Sequence, residues 1–153
     1  MKVFQRHFGV EYESVSEARQ AIAQFAGDCG FDGHEISDIA LAVGEACNNA
    51  VEHSRMRDPG FKVTAICDQR RLQVEIEDSG FGFELAGKGG RMDPEQRGTR
   101  GLGIFLMRAI MDDVNYKFED SGTTVVLTKR RHIPGGRLDQ SARGEDACKR
   151  ERG

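Results

Sequence analysis

Two runs of alternating residues, joined by one short turn, constrain the fold of this chain more than any other feature. Apolar side chains stand at every second position in residues 61–67 and again in residues 72–76. A period of two is the pattern of a β-strand that buries one face. Because only residues 68–71 separate the runs, they predict a β-hairpin, so the fold of this chain contains a sheet.

Helix and strand patterns also occur on both sides of this hairpin. They predict a first strand in residues 3–12, a helix capped by Ser14 and Glu17 that ends near residue 29, a long second helix opened by Asp32 and Glu35, a third helix that residues 100–103 lead into, and a closing hairpin in residues 114–129. The chain therefore combines helices and strands in one α/β domain.

Two segments have too little apolar surface to fold alone. Residues 84–100 are rich in glycine and charge and show no apolar period, so they predict a mobile loop or lid. Beyond about residue 132 the apolar residues are scattered, which predicts disorder. We therefore expect one domain in residues 1–131 and a disordered tail in residues 132–153.

Charge and cysteine content narrow the classes of function. The 153 residues carry 22 lysines and arginines against 25 aspartates and glutamates, a net charge of −3. This balance does not point to nucleic acid as the main partner. The four cysteines have no CxxC spacing, and neither a signal peptide nor an apolar run of membrane-spanning length is visible. We expect a soluble, cytoplasmic protein with reduced thiols, of which Cys47 and Cys67 are buried.

The first candidate site is a polar line on the long second helix. Glu45, Asn49 and His53 follow one another at intervals of four residues, so they share one face beside an apolar stripe. A carboxylate one turn from a carboxamide can serve as a base beside a metal-binding carbonyl oxygen. The same trio is also compatible with a solvated or locally paired helix face, and spacing alone favours that plainer interpretation.

The second candidate is an acid followed by glycines where the predicted hairpin ends. Asp78 stands at the end of the second strand, and Gly80 and Gly82 follow it. The carboxylate is an acceptor that can receive the exocyclic amine of an adenine, and the glycines allow close backbone approach. A turn chosen only for its backbone freedom explains the pattern equally well.

The third candidate is the start of the third helix. Arg100 and Gly101 precede Gly103 there, and the unpaired N–H groups and dipole of a helix start favour a phosphate. Taken alone, a pair of glycines before a helix is often just a hinge. The segment is neither a Walker loop nor a Rossmann fingerprint, because the Walker residues are absent and no βαβ unit surrounds Gly101 and Gly103.

The order of these motifs resembles the GHKL ATPase superfamily, the histidine-kinase-like ATP-binding domains. The resemblance rests on Glu-x-x-x-Asn-Ala-x-x-His on a helix, Asp-x-Gly-x-Gly after a strand, a lid, Gly-x-Gly at a helix start, and Gly-Thr in the closing hairpin. It implies a two-layer α/β sandwich of the GHKL (Bergerat) type, with a mixed, mainly antiparallel sheet covered by helices on one face. The Val-Gly-Glu-Ala lead-in at Glu45 and the run in residues 102–107 are most similar to the anti-sigma-factor serine kinases.

The resemblance implies specific roles for the polar line on the second helix. Asn49 is the residue expected to give its side-chain oxygen to the Mg²⁺ that bridges the phosphates of ATP. Glu45 is expected to act as the general base toward a substrate serine hydroxyl. His53 is expected to support the motif, because a phosphoryl-accepting histidine of a sensor kinase lies on a separate helix pair.

The other motifs match the nucleotide-binding positions of the superfamily. Those positions comprise the adenine-reading acid Asp78, the nucleotide-contacting turn glycines Gly80 and Gly82, the lid-hinge glycines Gly101 and Gly103 on the phosphate side, and Thr123, which helps to hold Asp78 and the base and has Thr124 beside it. Arg100 is expected to neutralise charge on the transferring phosphoryl group. Arg91 and Arg97, in the same predicted lid, are alternatives for that role.

The implied function is an ATP-dependent protein serine/threonine kinase that acts as an anti-sigma factor. Such a kinase phosphorylates a small anti-anti-sigma (antagonist) protein and sequesters a sigma factor by partner switching, and the resemblance further implies a homodimer with no direct contact to nucleic acid or membrane. Two alternatives stay open. One is a nucleotide-dependent protein-binding switch with little kinase activity, and the other is an ATP-binding module of another signalling system.

Overall fold

The computed structural model describes residues 1–53, 60–78, 99–119 and 122–134, with the backbone alone for His53 and residues 99–102. Its elements in chain order are β1 (Lys2–Phe8), α1 (Tyr12–Asp28), α2 (Gly33–His53), β2 (Phe61–Cys67), β3 (Arg71–Asp78), α3 (Thr99–Ile110), β4 (Asp113–Glu119) and β5 (Gly122–Arg130). The strands form one sheet in the order β1-β2-β3-β5-β4.

The sheet contains both predicted hairpins, and its four strand pairings are all antiparallel. In β2 and β3 every second residue is buried, as the alternating sequence predicts. Helices α1, α2 and α3 pack against the buried face, with α2 over the central strands β3 and β5. The prediction of a two-layer α/β sandwich with a mainly antiparallel sheet is therefore confirmed.

Strand β1 is shorter than predicted, because its partner ends first. The antiparallel register pairs Phe8 with Phe61, where β2 begins, so residues beyond Phe8 have no described strand beside them. Gly60 lets the two backbones approach closely there, since its φ is +106° and a Cβ on it would lie 1.9 Å from the carbonyl oxygen of Phe8. The chain leaves the sheet at this point, and α1 begins at Tyr12.

The predicted cap of the first helix is wrong, whereas that of the second is confirmed. Glu11 occupies the N-cap of α1 without a capping side-chain hydrogen bond, and Ser14 is buried in the first turn. At α2 the backbone N–H of Glu35 donates to Oδ1 of Asp32 at 2.8 Å. This bond satisfies one of the N–H groups that every helix start leaves unpaired.

Two predicted segments fall largely outside the described residues. The predicted lid in residues 84–100 is described only from Thr99, where α3 already begins, so this helix starts before the glycine pair. Glycine inside a helix costs about 1 kcal/mol relative to alanine, and the buried side chains of Ile104 and Met107 offset that cost. Of the predicted tail in residues 132–153, residues 132–134 are described and have no regular structure.

The core lies between α2 and the sheet, and it fixes where the polar line of α2 points. Cys47 and Cys67 are buried in this core, as predicted. The apolar stripe of α2 is buried at Ile39, Val43, Ala46, Cys47, Ala50 and Val51. Among the described residues, no helix is long and apolar enough to cross a membrane.

Candidate active site

The polar line of α2 runs along the margin of the core. Glu45 and Asn49 are both half-buried, while Ala46 and Ala50, each one position further along, are buried against the sheet. The two polar side chains are therefore held by a packed helix and still reach its partly exposed edge. His53 is the last residue of α2.

Glu45 lies against helix α3 at Gly103. A Cβ added to Gly103 would lie 2.8 Å from Oε2 of Glu45, closer than side-chain carbon atoms approach in folded proteins. Glu45 makes no hydrogen bond or ion pair with any described residue. The missing side chain of Gly103 thus provides the space for a carboxylate that has no described polar partner.

Asn49 faces the hydroxyl group of Tyr116 on β4. That hydroxyl is buried and has no partner of good hydrogen-bond geometry in the described part of the chain. Burial raises the pKa of Tyr116 to about 12, and the side chains of Arg108 and Asn49 oppose this rise. An amide whose NH₂ group faces the phenol would leave its carbonyl oxygen for another ligand.

Asp78 and Thr123 meet across the pairing of β3 with β5. The two residues are register partners, and the backbone N–H of Thr123 donates to Oδ1 of Asp78 at 3.3 Å. Asp78 is only 9% exposed, so it is a buried carboxylate at the end of its strand. A buried charge must be hydrogen-bonded to be tolerated, and a ligand amine is a suitable further donor for it.

The remaining predicted site residues are described in part or not at all. Gly80, Gly82 and the alternative lid arginines lie outside the described residues. Arg100 and Gly101 belong to the first turn of α3, for which the backbone alone is described. The structure therefore brings together Glu45 with Gly103 and Asp78 with Thr123, and leaves the predicted role of Arg100 as a prediction.

The donor set suits a magnesium nucleotide. Mg²⁺ prefers oxygen ligands and keeps several water molecules, so one amide oxygen such as that of Asn49 is a sufficient protein ligand beside phosphates. In the described part of the chain no group of three or more histidine, cysteine or acidic side chains is placed to hold a metal by itself. A metal held here would therefore need the oxygen atoms of a bound nucleotide as further ligands.

Tyr116 is the residue that the sequence analysis missed. Its signal was present in the closing hairpin, because Val114, Tyr116 and Phe118 alternate and Val114 faces the core. Alternation places Tyr116 on the side of the sheet that the helices cover. It does not reveal that Asn49 is the residue opposite, since that contact depends on how α2 crosses the sheet.

Comparison with known proteins gives this arrangement a family. Residues 8–129 match the model of the histidine kinase-like ATPase domain. The chain belongs to this family. The superfamily resemblance that the order of the motifs predicts is thus confirmed, and membership of an ATPase family implies ATP binding.

Curated relatives of this histidine kinase-like ATPase domain include serine-protein kinases. It is 33% identical over 136 residues to the serine-protein kinase RsbW of Bacillus subtilis, covering 83% of each chain. It is 32% identical over 126 residues to RsbW of Listeria monocytogenes, covering 76% of this chain and 80% of that relative. The predicted similarity to serine kinases of this group is confirmed at the level of the family.

Two solved structures share the fold of this histidine kinase-like domain. The RsbU and RsbW domains of a Mycobacterium tuberculosis protein match with a TM-score of 0.65 at 19% identity, over 86% of this chain and 33% of that one, so the present chain spans about a third of that protein. A chain of the SiaB–SiaC complex of Pseudomonas aeruginosa matches with a TM-score of 0.56 at 10% identity, covering 83% and 89%. At such low identity these matches show the fold alone.

Proposed function

We propose that this protein is an ATP-dependent serine protein kinase that acts as an anti-sigma factor. It transfers the terminal phosphoryl group of ATP to a serine hydroxyl of a small antagonist protein, which gives phosphoserine and ADP. The observation that carries the proposal is the juxtaposition of a half-buried carboxylate at Glu45, which has no polar partner among the described residues, with an amide group at Asn49, one helical turn away. The curated relatives, which are serine-protein kinases, support the same activity.

The proposed role of Glu45 is to accept the proton of the attacking serine. A carboxylate without a described partner is free to take that proton, and general base catalysis of this kind typically contributes about 10²–10⁴ in rate. Asn49 would hold Mg²⁺ through its side-chain oxygen, and the ion would neutralise charge on the phosphates. Arg100 is proposed to stabilise the charge on the phosphoryl group during transfer.

Asp78 is proposed to bind the adenine ring through its exocyclic amine. Its burial and its bond from Thr123 fix the carboxylate, so one oxygen is oriented before the ligand arrives. Preorganised acceptors of this kind give affinity because little order is lost on binding. Gly80, Gly82, Gly101 and Gly103 are proposed to allow the backbone approach to the nucleotide and the movement of the lid.

The proposed output is partner switching between a sigma factor and the antagonist. Each partner shifts the equilibrium only by its differential affinity for the nucleotide states of the kinase, so ATP turnover decides which one is bound. We further propose that the protein works as a homodimer in the cytoplasm, without direct contact to nucleic acid or membrane.

The test is to incubate the protein with Mg·ATP and a panel of small antagonist domains and to map any phosphoserine by mass spectrometry. Glu45→Gln serves as the inactive control. Binding of each antagonist and of candidate sigma factors is measured in parallel with ATP and with ADP. Transfer to one antagonist, together with release of a sigma factor by the unphosphorylated antagonist, is the expected result.

Two other outcomes would point elsewhere. Intact nucleotide binding without transfer to any antagonist would exclude the kinase and leave a nucleotide-dependent protein-binding switch. Transfer to an antagonist without any sigma factor as partner would leave a serine kinase of another signalling system.

A further inference from the structure

Two cysteines that are far apart in sequence meet at the edge of the domain. Cys29 is the C-cap residue of α1, and Cys67 is the last residue of β2. Cys67 pairs in the sheet with Lys2, and Nζ of Lys2 donates to the backbone oxygen of Asp28 at 2.6 Å. The residue beside Cys67 in the sheet thus contacts the residue that precedes Cys29.

Arg131 lies beside both cysteines, and we call Cys29, Cys67 and Arg131 together the cysteine corner. Its Nη1 donates to the backbone oxygen of Cys29 at 2.9 Å, and its backbone N–H donates to Arg70 at 2.7 Å. Sγ of Cys67 lies 3.3 Å from the backbone oxygen of Asp68, in the same turn as Arg70. These bonds connect the end of α1, the turn between β2 and β3, and the end of β5 around the two thiols.

The two thiols belong to the same corner and differ in exposure. Burial raises the pKa of Cys67 to about 12, with the hydrogen bond to the Cys29 thiol adding to the rise and Arg131 opposing it. Cys67 is buried, whereas Cys29 is half-exposed, and neither is in a disulfide. An oxidant in solution therefore meets Cys29 first, with Cys67 placed behind it.

We propose that Cys29 and Cys67 are an oxidisable dithiol, a modification site that reacts with a hydroperoxide such as hydrogen peroxide and closes to a disulfide. This inference stands on the cysteine corner alone and does not depend on the proposed kinase activity. The backbone can follow the closure, because Cys29 is followed by Gly30, whose φ of +88° lies in a region that glycine adopts freely.

The reaction balances in two steps. The thiolate of Cys29 attacks one oxygen of hydrogen peroxide, which gives a sulfenic acid and water after proton transfer. The sulfur of Cys67 then attacks the sulfenic sulfur, forms the S–S bond and releases a second water molecule. The protein loses two hydrogen atoms and is oxidised, and the peroxide is reduced to two molecules of water.

The disulfide would close a covalent loop of the chain that contains the whole of α2. Helix α2 lies between Cys29 and Cys67 in the chain and carries both Glu45 and Asn49. A disulfide restricts the unfolded ensemble of the loop it closes, so the oxidised form should unfold at a higher temperature than the reduced form. Oxidation would thus reinforce the helix on which the candidate active site is built.

The test uses the full chain with Cys148→Ser, so that the cysteine outside the described residues cannot take part. The reduced protein is treated with hydrogen peroxide, its remaining thiols are alkylated, and peptides are mapped by mass spectrometry without reduction. The expected result is a peptide pair joined through Cys29 and Cys67, the loss of two alkylatable thiols, and the return of both after dithiothreitol.

Three variants decide between this pair and non-specific oxidation. Cys29→Ser and Cys67→Ser should each abolish the linkage, and Cys29→Ser tests it without altering the buried core. Cys47→Ser is the matched control, because Cys47 is a fully buried thiol outside the corner, and the linkage should persist in it. Oxidation of Cys29 that stops at sulfinic acid, or a linkage that survives Cys29→Ser, would overturn the proposal.

Discussion

The two ends of α2 differ in how completely their polar groups are paired. At the first turn, the Glu35 carboxylate accepts the backbone N–H of His132 at 3.4 Å, and the N–H of Glu35 itself is capped by Asp32. Further along the same helix, Glu45 has no hydrogen-bond partner among the described residues, and Asn49 faces a buried hydroxyl. At one end the polar groups are paired within the chain, and at the other Glu45 has no polar partner in the described part of the chain.

Ion pairing follows the same division. Near the beginning of α2, Nζ of Lys129 lies 3.3 Å from Oδ2 of Asp38 and also donates to the backbone oxygen of Ile110. These bonds connect α2, α3 and β5 about two helical turns before Glu45. This division indicates that stability and ligand binding rest on different parts of one helix, because a site that paired all its own polar groups would have no hydrogen-bonding group available for a ligand.

Changing one glutamate at each end of α2 tests directly whether the two ends have separate functions. Glu45→Gln removes the proposed base with no change in side-chain size, so phosphotransfer to an antagonist should fall about 10²- to 10⁴-fold while nucleotide affinity stays the same. Glu35→Gln is the matched control on the same helix, because its amide oxygen can still accept the N–H of His132.

Single-turnover transfer from labelled ATP, together with calorimetric titration of the nucleotide, measures both effects. Equal transfer rates in Glu45→Gln and in the unmodified protein would remove Glu45 from the catalytic step. A comparable loss in Glu35→Gln would show that the two ends of α2 are not separate in function.

The next largest effect is expected at the two ends of β3. Asp78→Asn keeps the acceptor for the N–H of Thr123 and loses the charge, so ATP should bind about 10- to 100-fold more weakly, the range for one hydrogen bond to a charged group. Asp68→Asn is the control in the turn that precedes the strand, where the carboxylate accepts backbone N–H groups of its own turn and lies 3.8 Å from Nε of Arg71. Unchanged ATP affinity in Asp78→Asn would rule out its role in adenine binding.

The sequence predicts the elements of this fold better than the contacts between them. Alternation in residues 61–67 and the cap at Asp32 act locally, so both could be predicted from neighbouring residues. The end of β1 could not, because Val10 and Tyr12 continue the alternation and only the length of β2 decides that they are unpaired. Strand length is a tertiary property wherever the partner ends first.

The candidate site shows the same limit. The motifs identified Asp78 and Thr123 separately, but their hydrogen bond depends on β5 entering the sheet beside β3, after a helix and another strand. Gly103 was predicted as a phosphate-side hinge, and its contact with Glu45 adds a second reason for a glycine there. Helix crossings of this kind follow from core packing, which no local pattern specifies.

Gly103→Ala tests whether the position of the Glu45 carboxylate matters, because it moves this side chain without removing it. The new methyl group would press on a flexible carboxylate, so we expect transfer to fall roughly tenfold, since displacing a catalytic group by about 1 Å can cost up to 10²-fold. The melting temperature should hold or rise, because alanine is the better helix former. Gly27→Ala on α1 is the matched control, as its methyl group would make an ordinary 3.7 Å contact with Ile36.

Combining Gly103→Ala with Glu45→Asp separates displacement from other effects of the methyl group. The shorter aspartate withdraws from the methyl group, so Gly103→Ala should cause a smaller loss of transfer in the Glu45→Asp variant than in the unmodified protein. If transfer in Gly103→Ala equals that of the unmodified protein, the contact between Glu45 and α3 has no catalytic role. If ATP affinity falls and the transfer rate does not, Gly103 acts on nucleotide binding, as expected of a lid hinge on the phosphate side.

The smallest expected effect concerns the buried hydroxyl beside Asn49. Tyr116→Phe removes the hydroxyl group that we expect to orient the Asn49 amide, so ATP should bind about two- to tenfold more weakly with Mg²⁺, the range for one neutral hydrogen bond. In EDTA the variant and the unmodified protein should bind ATP equally well, because the amide oxygen then has no ion to hold. The melting temperature should stay the same or rise, since the lost hydroxyl has no well-formed bond in the described part of the chain.

Tyr12→Phe is the control, because Tyr12, the other tyrosine of the chain, is 68% exposed at the start of α1. It should change neither affinity nor melting temperature. If Tyr116→Phe weakens nucleotide binding equally with and without Mg²⁺, the hydroxyl supports the pocket as a whole and does not orient the metal ligand. If it lowers the melting temperature, the hydroxyl is paired in solution, and the end of α2 that carries Asn49 is as closed as the end that carries Glu35.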